Sequence, residues 1–482
     1  MPYKHGVYVR EQGTSLIAPV LGTSGLQVVV GTAPVNLLSD PAAAVNKPLL
    51  VNNYKEAVEA IGYNGDFEKY TLCEAVSANF SVVGTGPLIL INVLDPATHK
   101  AAIAETDVTV SEGVATLAVE GALASGLTVK SGTKTLAAGA DYTTGFNDDG
   151  TLNIILLATG EGAGAESLKV SGYRIDPSAV TAADIVGGVN ISTGEEKGME
   201  VIRQIYPKYG MTPGILLAPR WSMEATVAAA LQAKTKEING VFKCSCIIDV
   251  SSKTGGALKY GDVKTAKDAQ GVSDANAYPV WLYGKVGETA YSGSALAAAL
   301  TAYTDAVNDD TPNVSPSNKT LPISAACLAD GTEVLLDQDQ ANTVNSFGVA
   351  TFLNMNGFRL WGNNTAAYPG TTDPKDRWFS VRRFFNWSGN TFILTYFQKV
   401  DEPANPRLIQ AIVDSENVRG NGFVSRGVCA RYEITFNEAE NPTTSLLDGC
   451  ITFHQYLTPY TPAEDIENIL EFDPNALTAL FA

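Results

Sequence analysis

The sequence predicts a multi-domain protein of α/β plus α+β class. A mostly parallel α/β core is interrupted by an inserted all-β domain and followed by an α+β C-terminal domain, with extended strand arms at the two termini. Three observations lead there. Short apolar runs (LQVVVG, PLILINV, GILLA) alternate with segments of helical period, as strands of a buried parallel sheet do. Between about Asp95 and Pro177 that texture gives way to alternating apolar and polar residues separated by turn signals such as Asp149-Gly150 and Ser171-Gly172. Finally, 482 residues with 45% hydrophobic content exceed what one compact core holds.

Taken in order, residues 1–22 read as an extended N-terminal arm, with Val7, Tyr8, Val9 and Leu16 strand-like and Gly6, Gly13, Pro19 and Gly22 as punctuation. Residues 23–94 and 178–343 form the split α/β domain. Within it, LQVVVGTAP is a strand, NNYKEAVEAIG and DFEKYTLCEAVSANF are helices, and PLILINV is a strand. After the insert, GEEKGMEVIRQIYPKYG is helical, GILLA a strand, and Ser222 the expected N-cap of a helix reaching Asn239-Gly240. VFKCSCIIDV and YPVWLYGKV are strands and SGSALAAALTAYTD a helix. Residues 95–177 are the inserted domain, expected as a β-sandwich on the outside of the core. Residues 344–465 form the C-terminal α+β domain, with NPRLIQAIVDSENVRGNG helical. Three β-like stretches end the chain, the last beginning the C-terminal strand arm, 466–482, with Ile466, Ile469, Leu470, Phe472 and Leu477.

The net charge of −18 argues against nucleic acid as a main partner, which would need a basic face, and against an anionic membrane surface. No secretory signal and no membrane-length apolar run is read, so assembly in the cytoplasm is expected. The charge is unevenly placed. Eight of the twelve arginines fall between Arg359 and Arg431, whereas no Lys or Arg follows Arg431 and nine acidic residues do. A basic face meeting an acidic partner, and an acidic tail meeting a neighbour, would follow.

No pattern for catalysis emerges. There is no GxxxxGK[ST], HExxH or GxSxG, and Gly160, Gly162 and Gly164 lie in the β insert without the helix N-terminus a phosphate loop needs. The cysteines Cys73, Cys244, Cys246, Cys327, Cys429 and Cys450 form no CxxC pair and read as reduced thiols, without a zinc set from only three histidines. His454 reads as a structural or exposed strand residue, and Asp249, at a strand end, as a cap or turn residue. No cofactor, metal or catalytic residue is expected.

Across nearly the whole chain the order of HGVYVRE, MTPGILLAPRWS, FKCSCIIDV, SPSNKTLPI, FRLWGNNTA, RWFSVRRFFNW, NPRLIQAIVDSENVRGNGFVSRG and TPAEDIENI resembles the tail sheath proteins of contractile phage tails and phage-tail-like bacteriocins. The layout is most similar to sheaths of Gram-positive contractile particles. Where the family has Trp-Gly-Ala-Arg-Thr, this chain has Trp361-Gly362-Asn363-Asn364-Thr365, without the arginine. The resemblance implies a non-enzymatic subunit of a contractile injection system that forms a helical homopolymer around a tail tube. Its partners would be itself, the tail tube protein, and baseplate and tail terminator proteins, as part of a virion or a released particle. Terminal strands would be lent to neighbours, and Arg407, Arg419 and Arg426 are the tube-facing candidates on the basic C-terminal domain. A surface-layer or adhesin-like protein is the rival reading.

Overall fold

The computed structural model describes residues 23–147 and 149–473. The first half of the core comprises β1 (Gln27–Gly31), β2 (Pro48–Val51), α1 (Tyr54–Ile61), α2 (Thr71–Val76) and β3 (Leu88–Asn92). All five residues of β1 and of β3 are buried, as expected of central strands covered on both faces. The Asn53 side chain caps α1 by accepting from Glu56 N at 3.0 Å, and Gly62, at φ 74°, ends it. The second expected helix begins later than its sequence suggested, at Thr71 rather than Asp66. It continues as a π-helical stretch, Ser77–Val83, that stops at left-handed Gly84.

The insert contains β4 (Lys100–Ser111), β5 (Val114–Leu117), β6 (Thr128–Ser131), β7 (Lys134–Leu136), β8 (Tyr142–Phe146), β9 (Leu152–Leu156) and β10 (Ser167–Ile175). They form one seven-stranded sheet in the order β7-β6-β10-β4-β5-β9-β8. The long strand β4 pairs β10 along most of its length and β5 at its end, so one strand runs through both halves of the ladder. Both halves close on one apolar cluster that includes Ala115, Leu117, Val129, Ile154 and Val170. Entry and exit are adjacent: Lys100 pairs with Ile175, and Asp176 N donates to His99 O at 2.9 Å.

After the insert come α3 (Ala182–Val186), a hairpin of β11 (Gly188–Val189) and β12 (Glu196–Lys197), α4 (Ile205–Tyr209), β13 (Ile215–Leu217), α5 (Ala225–Lys234), β14 (Ser245–Asp249), α6 (Val263–Ala269) and β15 (Ala277–Val280). Strands β13, β14 and β15 extend the first half into a six-stranded sheet, β15-β14-β13-β1-β3-β2, parallel except for β2. The expected cap is corrected here. Helix α5 starts after Glu224 and ends at Lys234, while Ser222 sits in a 3₁₀ turn where its backbone N–H donates to Ala218 O. The Ser222 hydroxyl is taken instead by Asp249, at 3.1 Å.

The run YPVWLYGKV breaks at Leu282, whose φ is 89°, into β15 and β16 (Tyr283–Val286). Then follow β17 (Thr289–Tyr291), the buried helix α7 (Gly293–Ala306), β18 (Ala325–Cys327), α8 (Gln338–Ser346), β19 (Thr351–Asn354) and β20 (Phe358–Trp361). The sequence placed a new domain from Val344. Val344, Val349, Phe352, Phe358, Leu360 and Phe379 nevertheless bury in the main core, because β15 is flanked by Ala350 in a parallel bridge.

The chain then forms α9 (Pro374–Arg377), α10 (Phe379–Tyr396), α11 (Pro406–Ser425), β21 (Cys429–Thr435), α12 (Thr443–Leu447) and β22 (His454–Pro459). A second cluster of Phe384, Trp387, Phe423, Cys429 and Tyr432 joins α10, α11 and β21. Helix α11 can lie this close to β21 because residue 420 is glycine: a Cβ there would stand 2.2 Å from Tyr432 O. Helix α10 belongs to both units. Phe379 stacks on Tyr278 at 4.1 Å, and the Asn386 and Asn390 amides bond the backbone at Cys244 and Lys243.

Candidate assembly surfaces

Strands β21 and β22 pair only with each other among the described residues, antiparallel with Tyr432 opposite Leu457 and Ile434 opposite Gln455. From Arg431 on, the residues alternate: Tyr432 and Ile434 are buried while Arg431, Glu433 and Tyr456 face solvent, and a bulge between Cys429 and Arg431 lets Cys429 be buried as well. A two-stranded ribbon has two outer edges, and on the β21 side the Asn417 amide already bonds the Ile434 N–H at 2.9 Å and C=O at 3.0 Å, while α11 lies against Tyr432 O. Beyond Pro459 the described chain is without regular structure, so the third β-like stretch forms no strand here up to Asp473. Ile466, Ile469, Leu470 and Phe472 are 84%, 82%, 88% and 77% exposed, which leaves these large apolar side chains without cover in a single subunit. Val7, Tyr8, Val9, Leu16 and Leu477 lie outside the described residues.

The three arginine candidates separate. Arg407 is exposed at the start of α11, and Arg426, at its end, is half exposed and ion-paired to Asp309 at 3.3 Å. Arg419 is not a surface charge. Its side chain is 9% exposed, bound to buried Glu416 at 2.7 Å and to the Tyr432 hydroxyl, because the α11 face that packs on β21 carries it inward. Burial pushes the Tyr432 hydroxyl upward from its ordinary pKa, against the pull of Arg419.

Residues that sequence reasoning passed over hold the chain at Ser24 and Glu464, beside the two expected arms. Buried Arg383 on α10 grips Asp305 with both guanidinium nitrogens and donates to Ser24 O at 2.9 Å. Arg377 donates to Glu464 at 2.7 Å and to Asn364 Oδ1 at 3.0 Å. The available signal was the three arginines of the aromatic run RWFSVRRFFNW, where a charge inside a buried segment demands a partner.

The carboxyl ends of the core strands, where doubly wound sheets receive ligands, are filled by side chains. Asp249 accepts from Ser294 N at 2.7 Å in the first turn of α7, whose N-cap is Ser292. Glu74 binds Arg220 through both oxygens and accepts from Ser292 N at 2.6 Å. Burial raises the Glu74 and Asp249 carboxyls above the usual carboxylate range. Cys244 and Cys246 are buried free thiols, and His454 is exposed beside Glu440. Among the described residues no His, Cys, Asp and Glu cluster could hold a metal ion, and no helix is long and apolar enough to cross a membrane.

No family model matches the chain. Relatives and solved structures do. The tail sheath protein of Burkholderia phage BcepMu is 28% identical over 497 aligned positions, spanning 99% of this chain and 98% of that protein. The chain is a homologue of contractile tail sheath proteins. The major tail sheath protein of Serratia phage KSP20 matches at 24% identity over 65% of this chain and 77% of its own length. The fold of this sheath homologue is shared with the sheath of the extracellular contractile injection system PVC in its contracted state (TM-score 0.58, 14% identity, 99% of both chains). It is also shared with the contracted helical sheath of the anti-feeding prophage (TM-score 0.56, 15% identity, 97% and 98% of the two chains). These phage relatives come from Burkholderia and Serratia, so the expected leaning of the sheath homologue toward Gram-positive particles finds no support.

Proposed function

We propose that this chain is the structural subunit of a contractile tail sheath, polymerising around a tail tube and contracting to drive the tube through a target cell envelope. Full-length likeness to a phage tail sheath protein is the observation that carries this reading. The surface-layer or adhesin-like reading finds no support among these relatives.

The polymer is built by exchange of strands. Residues 1–22 and 466–482 of one subunit extend the β21–β22 ribbon of its neighbours on the β22 side, as β-augmentation. The exposed Ile466, Ile469, Leu470 and Phe472 would be covered in the process. An open, heterologous arrangement of this kind gives a filament. The domains are read as 23–94 with 178–343, 95–177 and 344–465, with the insert on the outside and the stretch from Val344 to Phe379 packed on the first of them. Arg407 and Arg426 are the tube-facing cations that remain. Subunits move outward as rigid bodies on contraction, with free energy stored at assembly and no nucleotide or cofactor consumed. Assembly takes place in the host cytoplasm, with baseplate and terminator proteins at the two ends.

Negative-stain electron microscopy of the purified full chain, beside a version lacking residues 466–482, tests this. Long hollow tubes from the intact chain alone are expected. Single particles from both would remove the self-assembly claim.

A further inference from the structure

Both places where an arm leaves the described body are held by one helical segment. At the N-terminal side the Arg383 guanidinium, 3% exposed, forks onto Asp305 and keeps one N–H for Ser24 O at 2.9 Å. The adjacent Ser24 hydroxyl donates to Asp310 O at 2.9 Å, and Thr23 bonds Thr212. At the C-terminal side Arg377 lies with its guanidinium 3.9 Å from the Trp378 ring centre and 4.7 Å from that of Tyr368, and donates to Glu464. Ring faces and the Asn364 amide fix the plane of that fork before Glu464 meets it. Asn364 is the residue that stands where the resembling motif carries arginine.

We propose that Pro374–Tyr396 is a bracket setting the departure points of both terminal arms, with Arg377 and Arg383 as its positioning residues. The proposal rests on the reading of the arms as inter-subunit strands. Arg377 meets the tail at its base and leaves the apolar side chains from Ile466 onward free for a neighbour. Arg383 meets the chain at the first described residues. Because α10 is docked on the core through Phe379, Asn386 and Asn390, Ser24 and Glu464 are held in one frame. A subunit that turns therefore carries both arms with it.

The test uses the full chain in a Cys450→Ser background with spin labels on Ser346→Cys and Glu467→Cys, read as a distance distribution by pulsed EPR. A narrow distribution is expected, broadened by Arg377→Glu and narrowed again when Glu464→Arg reverses the pair, with tube length under negative stain following the same order. An equally narrow distribution in Arg377→Glu, or no recovery in the reversed pair, overturns the C-terminal half. For the N-terminal half, Arg383→Lys should broaden a Gly22→Cys to Ser346→Cys distance and spare the Ser346 to Glu467 distance. No broadening overturns it. Broadening of both distances also overturns it, since Arg383 would then hold the fold rather than an arm. Distances that respond as expected in a chain forming no tubes would leave the bracket standing and remove the strand-exchange reading.

Discussion

Lys267 is the buried cation with the most legible chemistry. Its ammonium donates to Phe347 O and Ala366 O at 2.7 Å and to Tyr368 O at 3.2 Å, so α6 is tied to two separate loops. Gly348, at φ 70°, completes the cradle, since a Cβ there would stand 2.4 Å from Tyr368 O. Burial pulls the Lys267 pKa down to about 8. Between pH 8 and about 10.4 the unfolded chain keeps a proton that the folded chain has released, so stability rises with pH across that window. Lys267→Met should cost about 2 kcal/mol at pH 7 by stripping buried carbonyls of a donor. Chemical denaturation at pH 7 and pH 10 should show the gap to the wild type widening. A narrowing gap would mean that the carbonyls favour the charged form. Among the arginines, the inward position of Arg419 changes which variants are informative. Arg407→Glu with Arg426→Glu should lose extended assembly on tail tubes while tube-free polymers still form, and normal assembly on tubes would reject these residues as the contact.

At the scale of elements, the meeting of α11 and β21 at Gly420 is the tightest point of the C-terminal unit. Gly420→Ala should force the helix off the strand and cost about 1–3 kcal/mol, seen as a lower denaturation midpoint and faster amide exchange in β21. Intact exchange protection would show that the backbone yields without loss. How far such elements could be read in advance depended on whether their cause was local. Val28 to Val30 and Leu88 to Ile91 announce central strands, and Tyr432 with Ile434 announces a one-sided strand, because burial leaves its period in the sequence. The loss of the Ser222 cap had a tertiary cause: the Asp249 carboxylate, on strand β14, took the hydroxyl that a helix would have used. The run RWFSVRRFFNW shows aromatic content but not its helical state, since α10 is buried on several sides and no single apolar stripe marks it. The arm roots were illegible for the same reason: Asp305 and Ser24 meet Arg383 only after the fold has closed.

For the whole molecule, the separation of clusters sets what can be removed. The insert has its own apolar centre and, among the described residues, places only Leu123 and Ile175 in the main core. Replacing residues 96–176 with a short glycine linker should leave a folded core, with a thermal midpoint lowered by the loss of those two side chains, and should still give tubes. A chain that no longer folds would show that the insert is part of the core's own stability. Thermal melting and negative-stain images of the same preparation decide between these.

The neighbouring positions of Lys100 and Ile175 have a further consequence. A module whose two connections leave the body side by side can be exchanged for another without altering the path of the chain on either side. Descendants of one ancestral subunit could therefore diverge in what this appendage presents while the body beneath stays the same. An experimenter could use the same seam to graft a reporter onto every subunit.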